Sequence, residues 1–227
     1  MLDEYSRTYH HHLSDNTLSS ERGVRSKPVY LAVKRGFDIL ATLVAAPLVI
    51  AIIGILALLV RMDGGNAFYR QPRLGKDGKI FSIWKLRTMV PDAEQRLQEY
   101  LMQNAAARVE WERVQKLKND PRITALGHYL RKYSADELPQ LLNVFLGQMS
   151  LVGPRPMCPE QRPQYPGSAY FDMRPGITGL WQVSERNSCS FAERAMYDAR
   201  YAGIMSFSTD MRILLLTPLA VLRGTGL

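Results

Sequence analysis

From Ile39 to Val60 the chain carries no charged residue. At about 1.5 Å per helical residue, that run just crosses a hydrocarbon core of roughly 30 Å. Pro47 lies inside it and removes a backbone donor where no water can replace it. Basic residues flank both ends: Arg22, Arg25, Lys27, Lys34 and Arg35 before, and Arg61, Arg70, Arg73, Lys76 and Lys79 after. A spanning helix needs its basic excess on the cytosolic side alone. The pattern therefore predicts a re-entrant helix bent near Pro47, with a Pro-kinked spanning helix as the alternative. For Lys34 and Asp38 at its start, a merely interfacial place is the bland alternative.

The pattern changes on either side of this run. Residues 1–28 are polar, lack periodicity and read as a flexible tail in which His10, His11 and His12 are solvated. Residues 29–62 form the membrane segment, and residues 63–227 make up the remaining domain. There, Phe68-Tyr69 and Ile80–Trp84 alternate like strands around a Lys76-Asp77-Gly78-Lys79 turn. Strand alternation puts Lys85 and Arg87 on one face, able to meet an anion or to be solvated. Residues 91–118 show helical spacing through Ala93, Leu97, Leu101, Val114 and Leu117. Asn119-Asp120-Pro121 breaks it, and a second helix is predicted over 125–132. A third covers 190–203. The apolar stretch 211–224 is too short to span and reads as an interfacial or a buried helix. The fold class is α+β, mainly helical: a re-entrant membrane helix, a short β-hairpin and amphipathic interfacial helices.

The most unusual local chemistry lies at 134–156, SADELPQLLNVFLGQMSLVGPRP. Asp136 and Glu137 are adjacent and precede an apolar helical run. Ser134 and Glu137 match a capping box, in which the acids only satisfy free N–H groups. Pro139 is better placed if the helix starts at Asp136, because proline is tolerated only in the first turn. A helix mouth at the two acids could also receive a phosphate. Downstream, Arg155 is restrained between Pro154 and Pro156.

The chain has a net charge of +8, which suggests an anionic partner: nucleic acid, anionic lipid or a phosphorylated substrate. The apolar run beside the basic residues argues against nucleic acid. Two cysteines, Cys158 and Cys189, make neither a disulfide framework nor a metal quartet.

Five stretches together resemble the bacterial sugar transferases, the polyprenyl-phosphate hexose-1-phosphate transferases or monotopic phosphoglycosyl transferases. They are KRGFDI at 34–39, FYRQPRLGKDGK at 68–79, FSIWKLRTM at 81–89, the segment from NDPRIT at 119 to VGPRP at 156, and RPGITGLWQVSERN at 174–187. The length is most similar to the galactosyl- or glucosyl-phosphate transferases that initiate exopolysaccharide synthesis. Three positions depart from the family pattern: Ala46 often being Ser, Ala135 usually Leu, and Glu185 often Gly. The resemblance implies transfer of hexose 1-phosphate from a UDP-hexose to undecaprenyl phosphate at the cytosolic face of the bacterial inner membrane. Asp136 would be the covalent nucleophile, and Glu137 would bind Mg²⁺. Lys85, Arg87, Arg131, Pro154, Arg155, Pro156, Arg174, Gln182 and Arg186 would contact substrate. A sugar-only glycosyltransferase is disfavoured, because the chain has no Asp-x-Asp and no strand–helix alternation. A non-enzymatic membrane anchor is the other reading, but it leaves the acid pair and the Pro-Arg-Pro turn without a purpose.

Overall fold

The computed structural model describes residues 27–114, 117–184, 191 and 193–222; the polar tail up to residue 26, and Glu185, Arg186 and Cys189, lie outside them. Helix α1 runs unbroken from Pro28 to Arg61 with Pro47 inside it. Pro28 occupies its first turn, where a missing N–H costs nothing. Among the described residues it is the one helix long and apolar enough to cross a membrane. One side, including Leu40, Val44, Leu48, Ile55 and Leu58, is exposed, whereas Asp38, Thr42 and Val60 are buried.

Both ends of α1 are bonded to the same body. Near its start, Lys34 Nζ lies 2.6 Å from Asp210 Oδ2, to which Tyr30 also donates at 2.7 Å. Arg35 donates to the carbonyls of Val144 and Phe145 at 2.6 and 2.8 Å. Asp38, only 2 % exposed, accepts from Ser150 Oγ at 2.8 Å and from the Leu151 N–H at 3.0 Å. At the far end, Arg87 donates to the Val60 carbonyl at 2.9 Å, and Val60 packs with Ala67, Leu86 and Leu130. Lys34 and Asp38 are thus not merely interfacial; they fasten the helix to the domain.

Strands β1 (Phe68–Leu74) and β2 (Ile80–Leu86) form an antiparallel hairpin, registered from Phe68 opposite Leu86 to Leu74 opposite Ile80. The turn carries Asp77 and Gly78 at φ 57° and 70°, left-handed values that Gly and Asp tolerate best. The single helical stretch expected over 91–118 is instead two helices, α2 (Ala93–Gln103) and α3 (Ala105–Val114). Asn104 separates them: its Oδ1 accepts from the Ala107 N–H at 3.0 Å, capping α3 at the expense of continuity. Helix α4 (Ala125–Lys132) has the bounds read from the sequence and is capped by Thr124, whose Oγ1 accepts from the Gly127 N–H.

A 3₁₀ turn over Ala135–Gln140 leads into the short helix α5 (Leu141–Phe145). Strand β3 (Ser150–Val152) then pairs in parallel with β4 (Gly176–Thr178). Helices α6 (Leu180–Ser184), α7 (Arg194–Ile204) and α8 (Phe207–Leu222) complete the fold. The fold is α+β and mainly helical. Helix α8 has a buried and an exposed side. Asp210 and Ile213 are buried, Ile213 against Val152, Tyr201 and Met205, while Leu215, Leu219 and Leu222 are exposed.

Asp38→Ala would leave the Ser150 hydroxyl and the Leu151 N–H without their acceptor in a buried site. A loss of about 1–3 kcal/mol is expected. Thermal unfolding in detergent micelles should show a clear drop in Tm, smaller for Asp38→Asn, which keeps one acceptor. An unchanged Tm in Asp38→Ala would contradict the tether.

Candidate active site

Two segments far apart in sequence converge on the acid pair. The first is β2. Lys85 points inward from it, 8 % exposed, with Nζ 2.8 Å from Glu137 Oε1 and 3.5 Å from Asp136 Oδ2. The second is the Gly153–Pro156 turn. Arg155 Nη2 lies 3.0 Å from Glu137 Oε1, and its Nη1 donates to Oε2 at 3.5 Å. That turn is anchored by the parallel strands: the Gly153 N–H donates to Thr178 O at 2.9 Å and the Gly176 N–H to Pro154 O at 2.8 Å. The backbones pass so closely that a Cβ on Gly153 or Gly176 would collide with the opposite chain. Arg155 therefore stands on a fixed base, with its backbone restrained by Pro154 and Pro156.

The capping box is not formed. Ser134 is left-handed at φ 53° and makes no side-chain cap bond to the turn, and the Glu137 carboxylate faces the cations instead. Nor is the mouth an α-helical N-terminus, because Pro139 lies within a 3₁₀ segment. Helix α5 is held to the hairpin by Asn143, which is fully buried. Its Oδ1 accepts from the Trp84 N–H at 3.2 Å, and its Nδ2 donates to Ser82 O at 2.8 Å. That bond pair sets the acids opposite Lys85.

The two carboxylates are treated differently. Burial works against the Glu137 charge, but Arg155 and then Lys85 outweigh it and hold the carboxyl well below the usual range. Burial pushes Asp136 up; Lys85 opposes this from a longer distance, and the Glu137 charge adds to the rise. Burial also disfavours the Lys85 ammonium, yet Glu137 and Asp136 together raise its pKa. One acid is clamped and ionised, and its neighbour is buried and loosely paired.

The remaining residues named from the sequence divide sharply. Arg131 lies near enough to favour the Asp136 charge, while its Nε donates to Thr88 Oγ1 at 2.8 Å. Arg87 does not reach the acids. Strand β2 ends at Leu86, and the Arg87 guanidinium is taken up by Asp63 and the carbonyls of Val60, Gly64, Asn66 and Met89. Free carbonyls at the end of α1 attract it more strongly than a shared strand face. Arg174 is likewise elsewhere, donating to Gly147 O at 2.9 Å from an exposed position. Gln182 is buried and donates to Ile177 O at 3.2 Å. Arg186 lies outside the described residues.

A small polar cleft joins Lys85, Glu137, Arg155 and Pro156 with two residues the sequence reading did not single out, Arg73 and Gln140. Arg73 was counted only among the charges flanking the membrane run. Its guanidinium donates to Gln71 Oε1 at 2.6 Å and rests on the Cys158 thiol, and its Nε is buried with no hydrogen-bond partner among the described residues. Ala135, the departure beside the acids, packs against the Val60, Leu86 and Leu130 cluster. No group of three or more His, Cys, Asp or Glu side chains assembles among the described residues.

Lys85→Met would leave two buried acids with less compensation. The expected destabilisation is about 3 kcal/mol at pH 8. It should shrink at pH 5, because Asp136, already pushed up by burial, loses its main charge partner with Lys85 and takes up a proton as pH falls. Thermal unfolding of both proteins at the two pH values measures this; an equal defect at both would contradict the role of charge.

The chain matches the family described as bacterial sugar transferase over residues 29–224. It is 45 % identical over 195 residues to the UDP-galactose-lipid carrier transferase of Erwinia amylovora, covering 85 % of this chain and 41 % of that protein. It is 44 % identical over 199 residues to the undecaprenyl-phosphate galactose phosphotransferase of Salmonella typhimurium, again covering 85 % of this chain and 41 % of the relative. Against the exopolysaccharide production protein ExoY of Sinorhizobium fredii the identity is 41 % over 206 residues, covering 88 % and 90 %. The chain thus spans less than half of the two longer relatives and nearly all of the shorter one. The match takes in the acid pair, the hairpin that supplies Lys85, and the Arg155 turn, and by it the chain belongs to the bacterial sugar transferase family.

Proposed function

We propose that this chain transfers a hexose 1-phosphate, galactose or glucose, from its UDP-sugar to undecaprenyl phosphate, releasing UMP. It would be the first membrane step of exopolysaccharide synthesis. The relatives' names support a phosphotransferase acting on a lipid carrier. The observation that carries the mechanism is the unequal treatment of Asp136 and Glu137. A nucleophile must be near its target and free to leave its partners. Asp136 is 3.5 Å from its ammonium, whereas Glu137 is held at 2.8 and 3.0 Å by two cations.

In this reading an Asp136 oxygen attacks the sugar-bearing phosphorus of the donor. The bond from that phosphorus to the UMP oxygen breaks, and UMP leaves with the electron pair. An oxygen of the acceptor phosphate then attacks the same phosphorus, the acyl-phosphate bond breaks, and the carboxylate is restored. A carboxylate needs no base once it is ionised; burial works against the Asp136 charge, and Lys85 and Arg131 favour it. The obstacle is charge: two anions about 4 Å apart repel by about 4 kcal/mol at an effective dielectric near 20. Lys85 and Arg155 stand where they can move from Glu137 onto phosphate oxygens, Arg155 as a two-pronged donor. Arg131 and Arg73 add positive charge around them.

Glu137 offers carboxylate oxygens to the polar cleft, a donor chemistry that fits Mg²⁺, which keeps several waters and takes further ligands from phosphate. Bound there, the ion supplies further neutralisation of the phosphate oxygens. The attachment of both ends of α1 to one body supports placing both ends on the cytosolic face of the inner membrane, with the exposed apolar side toward lipid.

Protein in nanodiscs with Mg²⁺, undecaprenyl phosphate and a panel of UDP-hexoses tests this. UMP should appear with one sugar, and Asp136→Asn should lower the rate by on the order of 10³-fold or more. Glu137→Gln should lose most of its Mg²⁺ response. UDP as product, or substantial turnover by Asp136→Asn, would overturn the proposal.

A further inference from the structure

Arg73, Lys85 and Arg155 line the polar cleft against a single acid, Glu137. Lys85 and Arg155 are already paired, Lys85 with both acids and Arg155 with Glu137. Arg73 is the surplus cation, and no carboxylate answers it among the described residues. Its partners are neutral: the Gln71 side-chain oxygen at 2.6 Å and the Cys158 thiol. Its Nε–H is shut off from water with no partner. Gln140, only 2 % exposed, lines the same cleft and makes no side-chain hydrogen bond among the described residues. A withdrawn cation short of an anion and a buried amide short of a partner are both costly. Two such groups in one cleft mark a place kept for an anionic, oxygen-rich ligand.

The hairpin register says which part of the ligand this is. Arg73 stands opposite Phe81 and Lys85 opposite Tyr69, so both cations project from one face of the hairpin, with the cleft residue Ile83 between Phe81 and Lys85. Four residues of strand set their backbones about 13 Å apart, so they reach the cleft from different directions. The donor carries two phosphates. We infer that Arg73, with Gln140, binds the phosphate that leaves on UMP, while Lys85 and Arg155 serve the phosphorus under attack; this rests on the transfer reading above. In that step the bond from the attacked phosphorus to the UMP oxygen breaks, and its electron pair becomes the second negative charge of the UMP phosphate. Arg73 exchanges an amide oxygen and a thiol for phosphate oxygens, a charge-assisted bond that strengthens as the leaving charge builds. An interaction that strengthens along the reaction speeds it, where uniform binding does not. Gln140 donates its amide N–H to the same phosphate.

Arg73→Met, Arg73→Lys and Gln140→Leu, each in the full chain in detergent micelles, test the inference. Titration with UMP and with uridine reads binding without turnover. Rapid quenching with a labelled UDP-hexose, without acceptor, reads the rate of UMP release. Arg73→Met should weaken UMP binding by about tenfold or more while uridine binding stays within about twofold. UMP release should slow by about 100-fold. Arg73→Lys keeps the charge without the two-pronged geometry and should recover part of both losses. Gln140→Leu should weaken UMP binding by about threefold or more. Because Arg73→Met removes an unanswered charge, its Tm should hold or rise. Unchanged UMP affinity in folded Arg73→Met would overturn the inference. So would equal losses of UMP and uridine binding with a lowered Tm, since Arg73 would then be a structural tie to Gln71 and Cys158. Failure of the unmodified chain to bind UMP would overturn it as well. Should Arg73→Met not fold, Arg73→Lys decides by the same comparison of UMP with uridine. Release of UDP by the unmodified chain would remove the transfer reading alone; UMP binding that depends on Arg73 would still uphold the phosphate site.

Discussion

Two adjacent carboxylates withdrawn from water are tolerable only if cations come to them, and much of the fold can be read as the means of bringing those cations. Lys85 and Arg155 are 70 positions apart in the sequence, yet both lie within 3.0 Å of one Glu137 oxygen. The hairpin carries Lys85. The parallel β3–β4 pair carries Arg155, with glycines that let the backbones meet. Asn143 binds the acid-bearing turn to the hairpin through Trp84 and Ser82. Losing one cation leaves buried negative charge uncompensated, which costs far more than an exposed ion pair would.

The membrane segment belongs to the same construction. Asp38 holds Ser150 and Leu151, and that strand continues directly into the turn bearing Arg155. Lys34 and Tyr30 meet on Asp210, to which Tyr201 also donates, so that α1, α7 and α8 share one buried carboxylate. The apolar helix is thus positioned by polar bonds at its ends. In the proposed reaction that layout reconciles two substrates of opposite solubility. A nucleotide sugar would reach Asp136 from water, and a lipid phosphate would reach it from the membrane side.

Several elements were legible in the sequence because local physics alone determines them. The Lys-Asp-Gly-Lys turn between alternating strands predicted the hairpin, and helix α4 was legible over 125–132, after the Asn119-Asp120-Pro121 break. The acid pair and Arg155 stood out by residue type, and the fold does bring them together. Other features were set by partners distant in sequence. Ser134-x-x-Glu137 looks like a capping box, but Lys85 and Arg155 claim the glutamate. Arg87 shares a strand face with Lys85 on paper, but the carbonyls ending α1 claim the guanidinium. Asn104 could have signalled the break between α2 and α3, since its side chain competes with the helix backbone. The lone Asn143 in an apolar run was a signal of a buried bond. Arg73 gave none, because a single cation on a strand cannot be told from a solvated one.

The central claim is that Asp136 carries the sugar phosphate covalently. The most direct test is to mix the chain with Mg²⁺ and a UDP-hexose labelled at its β-phosphorus, without acceptor, and to measure intact protein mass and the labelled peptide. The account predicts a hexose-phosphate adduct on Asp136, formed with stoichiometric UMP, cleaved by hydroxylamine and discharged on adding undecaprenyl phosphate. UMP release with no adduct, or an adduct on another residue, would contradict it.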